Sequence, residues 1–310
     1  MNSPASRSEA SSAIPRSAAS VLSVTVCVCT RDRPELLRHC LESLVRLVPP
    51  ANEILVVDNS SGNPVTQQIA HDFGARYSVE PEKGLSRARN RGVAESNSIV
   101  VAFLDDDATA EPGWLHHLMH PFEAPSTAAV TGRIITPQTP PLTPDQMETR
   151  SLCSQDPHWF EAASFGGVGL GSNMALRKSA CVGFKVFDER LGRGAPFQIA
   201  EENYAFAMLL SLGHMAVHVP SAIVYHPRLH RIDAEQEASY WMTYWLLLFS
   251  EFPAHRLDLL RFLFARLRRK KLTWPRDPQD AGEIIQASWL VKLKAGVTGT
   301  LLFLRSRSKP

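Results

Sequence analysis

Ile99-Val100-Val101-Ala102-Phe103-Leu104-Asp105-Asp106-Asp107 is the stretch that decides the fold: an unbroken apolar run ends abruptly in three carboxylates, with Pro112, Gly113 and Trp114 close behind. An apolar run without alternation suits a central strand covered on both faces, and open α/β sheets bind ligands beyond the carboxyl ends of such strands. Side chains alternate along an extended chain, so Asp105 and Asp107 can face one way while Asp106 faces the other. Two carboxylates held that close repel unless a cation or donor groups lie between them. A hard divalent ion such as Mg²⁺ or Mn²⁺, bridging to phosphate oxygens, meets that requirement. Taken alone, the triplet serves equally as a turn capping the helix that starts near Pro112. The flanking elements decide between the two.

Towards the N-terminus, Val21 to Cys29 is β-branched and reads as the first strand, leaving Thr30, Arg31 and Asp32 at its C-terminal edge. Leu36, Leu37, Leu41, Leu44 and Val45 recur at helical spacing from Pro34 until Pro49 and Pro50 stop them. A second strand, Glu53 to Val57, ends in Asp58. Strand, helix, strand implies a parallel crossover, which brings Asp32, Asp58 and the aspartate triplet to one sheet edge. A helix over Pro64 to Phe73 and a strand over Ala75 to Val79 lead to Gly84-Leu85-Ser86-Arg87-Ala88-Arg89-Asn90-Arg91-Gly92. Ser86 is the expected N-cap, yet Arg87, Arg89 and Arg91 crowd the first turns, where the helix dipole disfavours cations by a few tenths to about 1 kcal/mol each. An anion nearby would offset this, and a helix N-terminus with arginines suits a diphosphate; the alternative is a solvated basic face.

Towards the C-terminus, a helix over Pro112 to Phe122 precedes a strand over Ala128 to Ile135 that carries Gly132. A Pro- and Thr-rich surface loop, Pro137 to Pro144, and a Gly-rich stretch, Phe165 to Gly171, follow. Ala205, Met208, Leu209 and Leu212 stripe the next helix, with Gly213 as its C-cap and Glu201 and Glu202 in its first turn. A carboxylate ionised there, beside a pocket, can take a proton from a substrate hydroxyl; acidic first turns are also ordinary capping. Val217 to Val219 and Ile223 to Tyr225 read as two short strands, the second ending at His226, which can complete a metal shell near carboxylates.

The 310 residues suit one large α/β domain with an appendage, and 44% apolar with 21% charged residues is ordinary for a globular chain. A net charge of +2 is too small to argue for nucleic acid. Residues 1–20 have the Ser- and Ala-rich composition of a disordered tail without a signal-peptide core, and no run reaches the roughly 18 to 20 apolar residues of a membrane span. Five cysteines without paired metal spacing fit a reducing, cytoplasmic setting. The domain expected over 21–230 is followed by a helical extension over 231–310, where Tyr240, Trp241, Tyr244, Trp245, Phe252 and Phe262 give way to Arg261, Arg266, Arg268, Arg269, Lys270 and Lys271. Residues 240–271 can pack their stripe on the preceding domain with the basic face in water, or lie peripherally on the anionic inner face of a membrane.

In their order, the Thr30-to-Pro34 edge, Val56-Val57-Asp58-Asn59-Ser60, the Gly84-to-Gly92 stretch, Asp105 to Asp107, the Glu201-Glu202 pair and His226 resemble the family 2 nucleotide-sugar glycosyltransferases. The resemblance runs from Val21 to Pro227 and implies a GT-A fold, a single Rossmann-like α/β domain with a mostly parallel central sheet. It implies inverting transfer from a nucleoside-diphosphate sugar to the hydroxyl of a glycan, lipid-linked or small-molecule acceptor, with Mn²⁺ or Mg²⁺ on Asp107, Asp105 and His226. Nucleotide-sugar contacts are implied for Thr30, Asp32, Asp58, Arg89, Asn90, Asp105 and Asp106. Glu202 stands where the family usually has Asp, so Glu202 or Glu201 is the implied base. A nucleotidylyltransferase is expected to carry a Gly-rich loop after the first strand, and Thr30 to Pro34 has no glycine. A non-catalytic nucleotide-sugar sensor or scaffold is the alternative from another class.

Overall fold

The computed structural model describes residues 22–137, 139, 144–227, 234–267, 297–301 and 303–304. The leading tail, residues 138 and 140–143 of the Pro-rich loop, and the basic run 268–271 lie outside the described residues.

The apolar runs form a nine-stranded sheet in the order β3-β2-β1-β4-β8-β6-β9-β5, with β7 paired to β9. The strands are β1 (Val24–Thr30), β2 (Glu53–Asp58), β3 (Arg76–Val79), β4 (Val100–Asp105), β5 (Thr109–Ala110), β6 (Thr127–Ile135), β7 (Arg150–Cys153), β8 (Asn173–Arg177) and β9 (Met215–Tyr225). β1 to β4 are mutually parallel, and the antiparallel β8 between β4 and β6 restores their direction to β6 and β9. Six of the nine strands therefore run one way. From β1 the chain steps outward to β2 and β3, then returns to lay β4 on the other side of β1. That reversal is a topological switch point, where adjacent strand ends diverge and leave a crevice.

Helices cover both faces, and this is why β4 is apolar throughout. Val100, Ala102 and Leu104 join a core with Leu37, Leu41 and Leu44 of α1 (Pro34–Leu44), Ile69 of α2 (Pro64–Asp72) and Trp114 and Leu118 of α4 (Trp114–Met119). Val101 and Phe103 join the opposite core with Ala88 of α3 (Leu85–Glu95), Phe160 of α5 (Trp159–Ser164) and Phe206 and Leu210 of α6 (Glu201–Ser211). The aromatic stripe of the C-terminal part enters the same second core: Tyr244, Leu247 and Leu248 of α7 (Ala234–Glu251) and Leu259 of α8 (Arg256–Leu267) are fully buried. Each such side chain stabilises the fold by roughly 1.5–3 kcal/mol. No helix of the described residues is long and apolar enough to cross a membrane, and all five cysteines are free.

Local expectations change in four places. Val217 to Tyr225 is one strand: Pro220 lacks a ladder N–H and suggests a break, but the chain bulges, shifting its register from Gly132↔Val219 to Arg133↔Ile223. The Asn173 amide donates to both carbonyls of that bulge, Arg133 and Ala222, at 2.9 Å. The third helix starts at Leu85 behind Gly84, whose φ of 151° suits glycine, and Ser86 is not its cap. Instead the Ser86 hydroxyl donates to the Leu191 carbonyl at 2.8 Å, a bond across 105 residues that no local pattern reports. The helix expected over Pro112 to Phe122 divides into α4 and a 3₁₀ turn, His120–Glu123, and a short strand, β7, lies beyond the Pro-rich loop.

Candidate active site

The C-terminal ends of β1, β2 and β4 lie side by side, with Thr30 in register with Asp58 and Cys29 with Asp105. The end of β9 brings His226 beside them: its Nε2 lies 3.1 Å from Asp107 Oδ1 and 3.7 Å from Asp105 Oδ2. His226 Nδ1 lies 2.7 Å from the Pro227 carbonyl, which can only accept, so that nitrogen carries a proton and the ring turns Nε2 to the aspartates. Although burial opposes it, hydrogen bonding to Asp105 and Asp107 raises His226 to about 10. The reciprocal attraction, with Arg89, holds Asp105 at about 2 against its burial, and Asp107 is likewise lowered by His226.

One ligand atom from each of Asp105, Asp107 and His226 lies within 4.8 Å of the others. Two carboxylate oxygens and one imidazole nitrogen are a donor set for a borderline-hard divalent ion such as Mn²⁺. The residues present therefore fit the metal.

Behind this cluster, Arg89 is buried on α3 between two elements. Its guanidinium lies 2.9 Å from Glu201 of α6 and 3.4 Å from Asp105, over the rings of Phe103 and Phe187. Glu202 has a different environment: half-buried, it accepts a long 3.5 Å bond from the Gly171 N–H and pairs with no cation among the described residues. Burial and the adjacent Glu201 charge push its carboxyl up to about 7, with Arg89 opposing. The Gly-rich stretch matters here for close approach, because a Cβ on Gly171 would fall 2.7 Å from Arg89 Nη1.

Residues 25–182 match the family model described as glycosyl transferase family 2. The chain belongs to that family. It is 26% identical over 187 residues to the glucosyl-dolichyl phosphate glucuronosyltransferase of Haloferax volcanii, spanning 56% of this chain and 57% of that one. It is 27% identical over 271 residues to the probable glycosyltransferase YdaM of Bacillus subtilis, spanning 80% of this chain and 59% of that one. The chain therefore spans less than two thirds of the length of these curated relatives. The mannosyltransferase PcManGT of Pyrobaculum calidifontis, solved with GDP-Man and Mn²⁺, superposes over 93% of this chain and 76% of that one, with a TM-score of 0.51 and 14% identity. That likeness is one of fold, the GT-A arrangement.

Within this family 2 chain, the expected site residues divide. Asp32, Asp105, Asp107, His226, Arg89, Glu201 and Glu202 are brought to the switch-point edge or directly behind it. Asp106 and Thr30 are engaged with the protein itself: Asp106 is fully buried, accepts from the Thr30 hydroxyl at 2.6 Å and pairs with Arg33 at 2.5 Å. Strand alternation turns Asp106 away from its neighbours, and it fastens the β1–α1 loop to β4. Burial raises it to about 6. Asn90 is also engaged elsewhere, its amide exchanging two hydrogen bonds with the Phe187 main chain. The anion that the arginine-rich turn requires comes from the protein itself: Arg87 pairs with Glu82 and Glu189, and Arg91 with Glu80 and Glu95.

Asp58 is fully buried, its Oδ2 accepting from the Tyr77 hydroxyl at 2.7 Å and the Asn63 N–H at 3.0 Å, while Oδ1 has no partner among the described residues. Exposed Asp32 holds a left-handed φ of 56° at the mouth of the edge. Sequence reasoning missed Arg193. It stands between Gly192 and Gly194, both left-handed, and its carbonyl accepts from the Leu85 N–H at 2.8 Å, which ties its loop to the start of α3. Its side chain is exposed and makes no ion pair among the described residues, and its charge lowers Asp105. The Gly-Arg-Gly triplet was the available signal.

Proposed function

We propose that this chain is an inverting glycosyltransferase that moves a sugar from a nucleoside-diphosphate sugar to an acceptor hydroxyl by direct displacement. The observation that carries the reading is the placement of a metal-competent Asp105–Asp107–His226 cluster and an under-bonded carboxylate, Glu202, on either side of Arg89 at one switch point. The family membership and the GDP-Man and Mn²⁺ complex of a fold neighbour support a nucleotide-sugar donor.

Asp58, with its unpartnered buried oxygen, and Asp32 hold the nucleoside. Arg193 faces the diphosphate as a cation not already neutralised by a carboxylate. When bound by Asp105, Asp107 and His226, a Mn²⁺ or Mg²⁺ ion supplies positive charge at the departing diphosphate. Glu202 takes the proton of the acceptor hydroxyl as its oxygen bonds to the anomeric carbon, and the bond to the diphosphate oxygen breaks on the opposite face. Glu201 is the weaker candidate for the base because its carboxylate is already occupied by Arg89 at 2.9 Å. Glu201 then keeps Arg89 in place, and Arg89 tempers the charge beside Glu202.

The test is Glu202→Gln beside Glu201→Gln, assayed for transfer and for donor binding. General-base loss is expected to lower kcat by about 10²–10⁴-fold in Glu202→Gln with donor affinity retained. Near-wild-type transfer by that variant overturns the base assignment.

A further inference from the structure

We propose that the C-terminal helices form a docking surface for an anionic lipid bilayer, centred on the outward face of α8. This helix divides its apolar residues between two sides. Leu259 and Phe262 are buried in the core, while Leu257 is 67% exposed and Phe264 57%. Leu257, Arg261 and Phe264 follow i, i+4, i+7 spacing, so they form one continuous row, and the Arg261 side chain is 76% exposed. The carboxylate within this helix, Asp258, is already paired with His255 at 3.2 Å and Arg261 at 3.5 Å.

A second row repeats the pattern. In the helical segment covering 297–301 and 303–304, Val297, Leu301 and Leu304 share the same spacing and are 57%, 52% and 57% exposed. Gly299 anchors that segment to α7, its carbonyl accepting from the Thr243 hydroxyl at 3.0 Å, and a Cβ there would fall 2.7 Å from the Ser239 carbonyl. The apolar rows are therefore what remains outside after the helices have packed, and the core does not need them.

Charge selects the occupant. Residues 256–310 hold thirteen Lys and Arg against four Asp and Glu, a net +9, whereas the whole chain is +2, so the rest of the molecule is at −7. Arg266, Arg268, Arg269, Lys270 and Lys271 directly follow the exposed row. Large apolar side chains interleaved with arginine on a helix suit the headgroup boundary, where the apolar groups enter the acyl region and the guanidinium stays with lipid phosphates. A chain whose charge is so divided along the sequence would turn the Arg261 row of α8 to an anionic surface.

The test is co-sedimentation of the full chain with vesicles of phosphatidylcholine alone or of equal parts phosphatidylcholine and phosphatidylserine, at low and high salt. The Leu257→Glu/Phe264→Glu variant and Glu202→Gln are run beside it. Wild type and Glu202→Gln are expected to sediment with the anionic vesicles, to release in high salt and to ignore the neutral ones. The double variant, folded by circular dichroism, is expected to lose about tenfold or more of this partition. Absence of binding by wild type, equal binding to neutral vesicles, or wild-type binding by the double variant overturns the proposal. So does a wild-type dimer in sedimentation velocity that the double variant dissolves, which would assign the face to a second copy.

Discussion

At the scale of single residues, the contrast between Glu201 and Glu202 sets the chemistry. Two adjacent carboxylates meet different partners: Glu201 is paired with an arginine, while Glu202 has a long bond from the Gly171 N–H and is raised by burial and by the Glu201 charge. Because Glu202 must be ionised to act and is pushed up to about 7, kcat/KM is expected to rise with pH, about tenfold per unit below 7, and to level off above it. A pH profile already flat from 5 upward contradicts this. The same shift has a stability consequence. Its folded value lies above the ordinary 4.5, so ionisation costs the fold nothing at pH 4 and progressively more as pH rises through 7. Glu202→Gln is therefore expected to be more stable than wild type at pH 8, by about 1–3 kcal/mol, and indistinguishable from it at pH 4 in urea titrations. Arg193→Ala is expected to raise the KM for donor about tenfold or more with little change in acceptor KM, since its cation sits close enough to act on Asp105 yet forms no ion pair among the described residues. Alternation along a strand made Asp105 and Asp107 legible as a pair with Asp106 reversed. The split between Glu201 and Glu202 was not legible, because it depends on Arg89, 112 positions away in the chain.

At the scale of elements, the site depends on loops fastened at both ends. The segment between Phe187 and Ala200 is tied to α3 through Asn90, Ser86 and Leu85, and to α7 through Arg190, which joins Asp188 to Glu251. Glu251 in turn accepts from the Tyr204 hydroxyl of α6 at 2.6 Å, so α7 holds the helix that carries Glu202. Removing that carboxylate by Glu251→Ala is expected to cost about 1 kcal/mol, the modest value fitting a group nearly a third exposed, and to be read as a lower urea midpoint at unchanged m-value. The helices and strands before Asp107 were legible because each apolar stripe and each Pro or Gly stop is local. Ser86 and the division of Val217 to Tyr225 into two strands misled for the opposite reason. Ser86 answers to the Leu191 carbonyl and Pro220 to a bulge filled by Asn173, partners that sequence spacing does not display.

At the scale of the whole molecule, the aromatic C-terminal stripe and the sheet share one apolar core. The sequence leaves packing and membrane contact as rivals; the structure shows the packing, burying Leu259 and Phe262 of α8, and leaves Leu257 and Phe264 outside. Deleting residues from Ala234 onward would expose the surface now covered by Tyr244, Leu247, Leu248 and Leu259, at roughly 1.5–3 kcal/mol each. That is comparable to the 5–15 kcal/mol that separates folded from unfolded domains. The truncated chain is expected to lose its cooperative thermal transition, and a sharp transition at the wild-type midpoint would show the helices to be dispensable. The crevice at the β1–β4 switch point is proposed to bind a nucleotide sugar and to hold a base beside it. Its most direct test is calorimetric titration of wild type, Asp107→Ala and Glu202→Gln with nucleoside diphosphates and their sugar conjugates, in Mn²⁺ and in chelator. Metal-dependent binding that chelator and Asp107→Ala abolish and Glu202→Gln retains is the expected result; no binding by folded wild-type protein, or binding indifferent to both metal and Asp107, overturns the assignment of this crevice.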